Sequence, residues 1–277
     1  EMGLHPKLLE RLRTEIRRPN GMLLTTGPTG SGKTTTLYSF MREIHTPEIK
    51  IVTIEDPVEY HVPGIVQTQT NGKEYTFASG LRSVLRQDPD VIMVGEIRDV
   101  EVAEVAVQAA LTGHFVFSTL HTNNAAGAFP RLADLGVDPK TFSSAISVVM
   151  GQRLVRTLDP KARKQRPATP EEKVIMQKIF EGLTDTTLLP SSYETVWEPA
   201  PMSPSETGYK GRTGLHEAIF MDDELGEFLR NNPSSSDILK ATRRQGYLTM
   251  AQDGVLKAIA GVTSLSEVFK VVDLPRG

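Results

Sequence analysis

The chain has no cysteine among its 277 residues, and aromatic residues make up only 6% of it. The lack of cysteine excludes disulfides and thiolate metal sites, which fits a reducing compartment. No apolar run approaches the roughly 20 residues that a membrane-spanning helix requires. Neither sign of charge is in large excess, because the net charge is −3. A general electrostatic attraction to nucleic acid is therefore not indicated.

The remaining composition is ordinary for a globular protein, with 39% hydrophobic and 23% charged residues. The length suits one large domain or a domain with an appendage. Because the chain begins at Glu1 rather than at a methionine, we expect it to be a fragment of a longer protein.

The most informative segment is the run Gly-Pro-Thr-Gly-Ser-Gly-Lys-Thr, which matches the phosphate-binding loop G-x-x-x-x-G-K-[ST]. It lies between an apolar strand candidate and a helical segment, as the motif requires. Glycines let successive N–H groups face phosphate oxygens, and the helix N-terminus adds a positive field. We expect Lys33 to reach the β and γ phosphates of ATP and Thr34 to bind Mg²⁺. The alternative is a glycine-rich turn that carries a lysine by chance. The predicted nucleotide-binding residues are Gly27, Pro28, Thr29, Gly30, Ser31, Gly32, Lys33, Thr34 and Thr35.

Strands and helices alternate along the first part of the chain. After an entry helix with apolar residues at helical spacing, the pattern predicts further strands at 49–55, 91–94 and 115–119 and helices at 77–86 and 100–111. A short β-rich detour is predicted at 64–69. This alternation predicts an α/β fold with a mainly parallel sheet and helices on both faces.

Acidic side chains end two of the predicted strands. Glu55, Asp56 and Glu59 follow one strand, and such ends line the ligand crevice of open α/β sheets. Three carboxylates this close repel one another unless a cation lies among them, and a nucleotide-bound Mg²⁺ would supply it. The alternative is a solvated acidic turn. Glu96 ends the run Val-Ile-Met-Val-Gly-Glu, which resembles a Walker B strand although Gly95 stands where aspartate is commoner.

Two histidines flank the predicted strand 115–119. His121 lies at its C-terminal end, where it can reach a γ-phosphate, and His114 lies at the opposite end. A lone histidine at a strand end is more often structural, and this alternative applies more to His114 than to His121.

The composition changes near residue 158. Residues 159–170 and 188–207, rich in Lys, Arg, Pro, Ser and Thr, are interpreted as surface loops around a short helix at about 170–181. The basic cluster at 161–166 is interpreted as a solvated loop, with contact to anionic lipid or an acidic partner as the alternative. The tail is predicted to form a strand at 215–221 and helices at 222–230, 235–245, 248–260 and 264–271.

Taken together, four motifs resemble the ATPases of type II secretion and type IV pilus systems. GPTGSGKTTT is similar to the Walker A motif of this family, IVTIEDPVEY to its aspartate box, VIMVGEIRD to its Walker B motif and TGHFVFSTLHTNNA to its histidine box. The resemblance implies a RecA-like phosphate-loop NTPase core over 1–157, with 1–19 as the entry helix. It further implies a segment at 158–207 in place of a zinc-binding region, and a strand with a mostly helical subdomain over 208–277.

The resemblance also implies roles for single residues. Glu59 matches the catalytic glutamate that orients or deprotonates the attacking water. Glu96 matches the carboxylate that holds Mg²⁺, through water, and His121 matches a histidine that senses the γ-phosphate. The family further implies a homo-hexamer in the cytoplasm at the inner face of the membrane, where it associates through inner-membrane platform or other machinery proteins. In the family, arginines from an upstream domain help to complete the site.

One departure concerns zinc. Members of the assembly and secretion branch usually carry four cysteines, where this chain has Asp159, Ala162, Pro201 and Pro204. Because zinc needs about four N, S or O donors, we expect no zinc site. Without it, the Pro-rich arms around this segment are expected to be the most mobile and protease-sensitive part of the chain.

The leading interpretation is an ATP-hydrolysing motor for pilus assembly or protein secretion. Residues 208–217 and 241–257 resemble the assembly and secretion branch and argue against a pilus-retraction motor of the same family. A nucleic-acid translocase with a RecA-like core is a further alternative, which the net charge of −3 and the histidine box disfavour. A nucleotide-binding regulator without turnover is disfavoured by the presence of Glu59 and Glu96.

Overall fold

A computed structural model describes residues 3–203 and 205–274. Residues 1 and 277, at which the predicted domains begin and end, lie outside the described residues. So does Pro204, one of the four positions compared with the zinc site. The chain forms two compact units: a larger one of residues 7–151 and 219–242, and a smaller one of residues up to Pro6, 152–218 and 243 onward. The division of the chain at 157 and 207 stays a prediction.

The strands are, in chain order, β1 (Gly21–Thr26), β2 (Ile51–Glu55), β3 (Val66–Gln69), β4 (Val91–Val94), β5 (Phe115–Leu120), β6 (Ile146–Leu158), β7 (Arg163–Pro167), β8 (Thr195–Pro199) and β9 (Tyr209–Phe220). The helices are α1 (Pro6–Glu15), α2 (Lys33–Ile44), α3 (Phe77–Leu85), α4 (Val100–Leu111), α5 (Ala128–Asp134), α6 (Pro139–Ala145), α7 (Pro170–Phe180), α8 (Asp223–Leu229), α9 (Ser235–Thr242), α10 (Met250–Ile259) and α11 (Leu265–Phe269). No helix among the described residues is long and apolar enough to cross a membrane.

Seven strands form one sheet in the order β3-β2-β4-β5-β1-β6-β9. The pairs that join β3, β2, β4, β5, β1 and β6 are all parallel. β1, β2, β4 and β5 are buried along their whole length, as expected for parallel strands that helices cover on both faces. Val116 of β5 belongs to the core that α3, α4 and α6 also line, whereas its neighbour Phe117 stacks on Phe40 of α2, with ring centroids 6.4 Å apart. The predicted α/β fold with helices on both faces is confirmed.

The predicted strands and helices of this unit are present within a few residues of their expected bounds. Two features were missed. The chain from 128 to 145 forms α5 and α6, and α6 carries a start signal, with Asp138 as N-cap and Pro139 in the first turn. The long strand β6 follows directly, and its apolar run lacks the alternation that marks a half-buried strand.

The interpretation of 159–170 and 188–207 as loops alone is wrong. β7 pairs with β8 in an antiparallel two-stranded sheet, with Gln165 opposite Trp197. The charges of β7 are paired: Lys164 lies 3.1 Å from Glu198, and Arg166 contacts both Glu198 and Glu172. Cross-strand charge pairs of this kind stabilise strands that intrinsic β-propensity would not select.

The smaller unit has its own apolar core, which includes Val155, Met176, Phe180, Val196 and Leu215. The predicted helix near 170–181 is confirmed as α7, which a capping box at Thr169 begins. The predicted helices of the tail are confirmed as α8 to α11.

Candidate functional site

The loop between β1 and α2 has the geometry that the phosphate-binding motif requires. Gly30 and Gly32 have φ angles of 78° and 89°, in the left-handed region that favours glycine. A Cβ at Gly30 would have no atom within 4 Å, so this part of the loop faces open space. Gly32 is the N-cap of α2 and no side chain caps this helix end, which leaves its first N–H groups directed at the loop.

Two polar side chains of the loop fit a phosphate ligand. Lys33 is 8% exposed, and its Nζ donates to the carbonyl oxygens of Gly27 at 2.8 Å and Pro28 at 3.0 Å. The hydroxyl of Ser31 is buried and has no hydrogen-bond partner among the described residues. An unpaired buried hydroxyl beside an uncapped helix end is the environment that a phosphate oxygen would complete. Thr34 is half-buried and Thr35 exposed at the start of the helix.

The other predicted site residues follow neighbouring strands of the same sheet. β2, β4, β5 and β1 are adjacent and parallel, so their C-terminal ends meet at one edge. Glu59 follows β2, Glu96 follows β4, His121 follows β5 and the phosphate loop follows β1. Such an edge is where open α/β sheets bind ligands. Residues separated by as many as 94 positions in the sequence are thereby brought to one edge of the sheet.

Glu96 is engaged on both carboxylate oxygens. Arg98 donates to its Oε1, and His121 Nε2 lies 3.5 Å from its Oε2. Burial acts to raise the pKa of Glu96, but the hydrogen bond and charge of Arg98, together with His121, lower it below its ordinary value. The side chain is therefore a carboxylate at neutral pH, as a Mg²⁺-associated group must be. Arg98 also lies 3.9 Å from Asp56.

The three carboxylates after β2 do not act as one cluster. Glu55 is 2% exposed and is bound by Tyr38, Thr53 and Gln67, so it is withdrawn from the crevice. Asp56 and Glu59 are exposed. Among the described residues no group of three or more His, Asp or Glu side chains is arranged to hold a metal ion by itself. The expectation that one cation lies among all three is therefore wrong for Glu55.

Gly95 has a steric role at the end of β4. Its N–H donates to the carbonyl oxygen of Ile54 at 2.8 Å, and its carbonyl accepts from Thr119 Oγ1 at 2.8 Å. A Cβ at this position would stand only 3.2 Å from the Ile54 oxygen. The close approach of the two strand ends leaves little room for a side chain at this position.

Sequence reasoning missed several polar residues beside the site. Tyr38, Gln67 and Gln69 bind the chain around Glu59, and Arg98 binds Glu96. Arg98 lay inside a recognised motif, and its position two residues after Glu96 was an available signal. The other three carried no signal, because their partners come from separate elements.

The fold and this edge define the chain as a phosphate-loop protein with a RecA-like core. Among solved structures, the pilus retraction motor PilT with bound ADP matches with a TM-score of 0.71 and 28% identity, over 99% of this chain and 66% of that one. The predicted fold class is confirmed.

Comparison with relatives identifies the family more narrowly. Residues 1–270 match the family model described as Type II/IV secretion system protein. Type II secretion system protein E of Klebsiella pneumoniae is 45% identical over 99% of this chain and 53% of its own length. Type IV pilus assembly ATPase PilB of Thermus thermophilus is 43% identical over 97% of this chain and 30% of its own. The chain belongs to the Type II/IV secretion system protein family, and it spans about half the length of the type II relatives.

Proposed function

We propose that the chain is the ATP-hydrolysing part of a motor that drives type II protein secretion or type IV pilus assembly. The observation that carries this proposal is the edge of the parallel sheet, where four adjacent strands present the phosphate loop, Glu59, Glu96 and His121. The names of the relatives support the same function, since they are a secretion system ATPase and a pilus assembly ATPase.

The residues divide the work of hydrolysis. The backbone of Gly27–Thr35 and the ammonium of Lys33, which exchanges its loop carbonyls for phosphate oxygens, bind the triphosphate. Thr34 directly and Glu96 through water would hold Mg²⁺, which neutralises the charge that develops on the phosphates. Glu59 orients the attacking water and accepts its proton. His121 contacts the γ-phosphate.

The proposal includes the assembly state and the partners. The motor is a homo-hexamer in the cytoplasm, which works at the inner membrane through platform or pilus and secretion proteins, and it has no nucleic-acid substrate. Assembly or secretion is favoured over retraction because the type II relative is 45% identical, against 28% for the retraction motor. The proposal also includes that the segment at 158–207 binds no zinc.

Nucleotide binding and hydrolysis by purified protein test this function. We expect Lys33→Ala to weaken ATP binding at least tenfold, about 1.4 kcal/mol, and to abolish hydrolysis, because it removes the cation of the loop. Lys140→Ala, at an exposed lysine of the same unit, is the matched control and should change neither. An affinity that Lys33→Ala leaves intact would mean that the loop is not the phosphate site. Turnover should also be compared with and without an upstream domain, since the family is expected to complete the site with one.

A further inference from the structure

A buried tyrosine connects the phosphate-loop helix to the strand that precedes Glu59. Tyr38 lies in α2, five residues after Lys33, and its side chain is fully buried. Its hydroxyl donates to Glu55 Oε2 and accepts a hydrogen bond from Gln67 Nε2 at 3.2 Å. The ring of the same tyrosine contacts Tyr60 of the loop that carries Glu59. The phenolic oxygen therefore joins α2, β2 and β3, and the ring contacts the Glu59 loop.

The remaining contacts bind the backbone of the Glu59 loop to β3. Gln67 accepts from the N–H of Val62 at 2.7 Å and donates to the carbonyl of Tyr60 at 3.2 Å. Gln69 accepts from the N–H of Val58 at 3.1 Å. The ring of Tyr60 packs edge-on against Tyr38, with centroids 4.8 Å apart. Residues 58–62 are thus held on both sides of Glu59, whose own side chain is exposed.

Glu55 is the acceptor that orders this cluster. Its Oε1 accepts from Thr53 Oγ1 at 2.5 Å and from Gln67 Nε2 at 3.3 Å, while Oε2 accepts from Tyr38. Burial raises the pKa of Tyr38, and the nearby carboxylate of Glu55 raises it further, so the hydroxyl keeps its proton and remains a donor. A buried carboxylate needs such donors, and losing one is costly.

We propose that Tyr38 and Gln67, organised by Glu55, are positioning residues that hold the Glu59 loop at a fixed place relative to the phosphate loop. The proposal rests on the proposed function, in which Glu59 acts on the attacking water. A base displaced by about 1 Å can lose on the order of a hundredfold in rate, so the rigid connection through Tyr38 matters for turnover and not for affinity. None of these atoms needs to contact the nucleotide.

Tyr38→Phe tests the proposal because it removes the hydroxyl and keeps the ring that packs on Tyr60. Tyr75→Phe is the matched control: its hydroxyl contacts Thr68 of the same strand at 2.9 Å. We expect Tyr38→Phe to lower kcat about tenfold or more and to leave KM within about twofold, while Tyr75→Phe leaves both in place. A parallel change of KM, or equal losses in the two variants, would overturn the proposal.

Amide hydrogen exchange provides a readout that does not depend on turnover. Exchange at residues 58–62 should accelerate in Tyr38→Phe and in Gln67→Ala but not in Tyr75→Phe, because only the first two release the loop. If Tyr38→Phe fails to fold, Gln67→Ala provides the same test of the loop. Unchanged exchange, or faster exchange with unchanged kcat, contradicts the proposal. Failure of the unsubstituted protein to bind ATP contradicts the proposed function instead, and the exchange result still decides whether the cluster holds the loop.

Discussion

His121 Nε2 lies 3.5 Å from Glu96 Oε2, at the ends of the neighbouring strands β5 and β4. Arg98 binds the other oxygen of the same carboxylate. The side chain of Arg98 is 58% exposed and that of His121 is 49% exposed. Neither side chain is therefore held in one position by the close packing that would fix its rotamer.

We expect His121→Ala to weaken ATP binding and lower turnover while ADP affinity stays unchanged, because ADP lacks the γ-phosphate that His121 contacts in the proposed mechanism. Calorimetric titration with each nucleotide measures the difference. His114→Ala, at the opposite end of β5, is the control and should leave both affinities unchanged. Equal weakening of ATP and ADP would remove His121 from γ-phosphate recognition.

We expect Glu59→Gln to bind ATP nearly as well as the unsubstituted protein and to lose roughly a hundredfold or more in turnover, since the amide keeps the shape but accepts no proton. Steady-state hydrolysis and equilibrium binding are the two measurements. Glu104→Gln, on the exposed face of α4, should change neither. If binding and turnover fell together, Glu59 would be a binding residue and Glu96 the better candidate for the base.

We expect Gly95→Ala to destabilise the protein by about 1–3 kcal/mol, because the added Cβ would press on the Ile54 carbonyl oxygen and force the strand ends apart. Urea unfolding measures the loss. Gly226→Ala in α8 is the matched control, since the nearest atom to its Cβ would be 3.9 Å away and alanine favours a helix. If Gly95→Ala were as stable as this control, the two strand ends could separate to admit the Cβ without a loss of unfolding free energy.

We expect Glu267→Gln to lower the free energy of unfolding by about 2 kcal/mol at pH 7. Hydrogen bonds from Arg156, at 3.0 and 2.7 Å, lower the pKa of Glu267 from 4.5 to about 2. A depressed pKa contributes stability that is complete above pH 4.5 and is lost as the pH falls toward 2. Unfolding measured along this pH range should therefore show the difference between the two proteins shrinking. A difference in unfolding free energy that stays constant with pH would contradict the stabilising role of the Glu267 carboxylate. An equal loss of stability in Glu181→Gln, at an exposed site, would contradict it as well.

Stoichiometric zinc should be absent, and a chelator should leave the melting temperature unchanged, because residues 159–207 contain no cysteine and no histidine. The described part of this segment contains the β7–β8 pair, and the guanidinium of Arg163 lies 4.5 Å from the centroid of the Trp197 ring. These contacts stabilise the segment without requiring a metal. Limited proteolysis tests the expected sensitivity of its arms. Zinc measured at one equivalent would mean that other donors were recruited.

Local signals predicted much of the fold and supplied the candidate residues of the site. Several elements depend on residues within a few positions of one another. They are the phosphate loop, the ends of the strands before Glu59 and Glu96, and the capped helices α4 and α7. Such patterns are readable because turn, cap and periodicity preferences act over short stretches of chain. The strands β7 and β8 were missed because their stability comes from each other, across about 30 residues of sequence.

The sequence by itself determined that this is an α/β phosphate-loop chain of the secretion family, since glycine spacing and apolar runs act locally. Only the tertiary structure decided which of the similar carboxylates is buried and which is exposed. Glu55 and Glu59 look alike in the sequence, yet strand pairing buries Glu55 under Tyr38 and Gln67 and leaves Glu59 exposed. Burial and hydrogen-bond partners depend on elements distant in the chain, and no local preference encodes them.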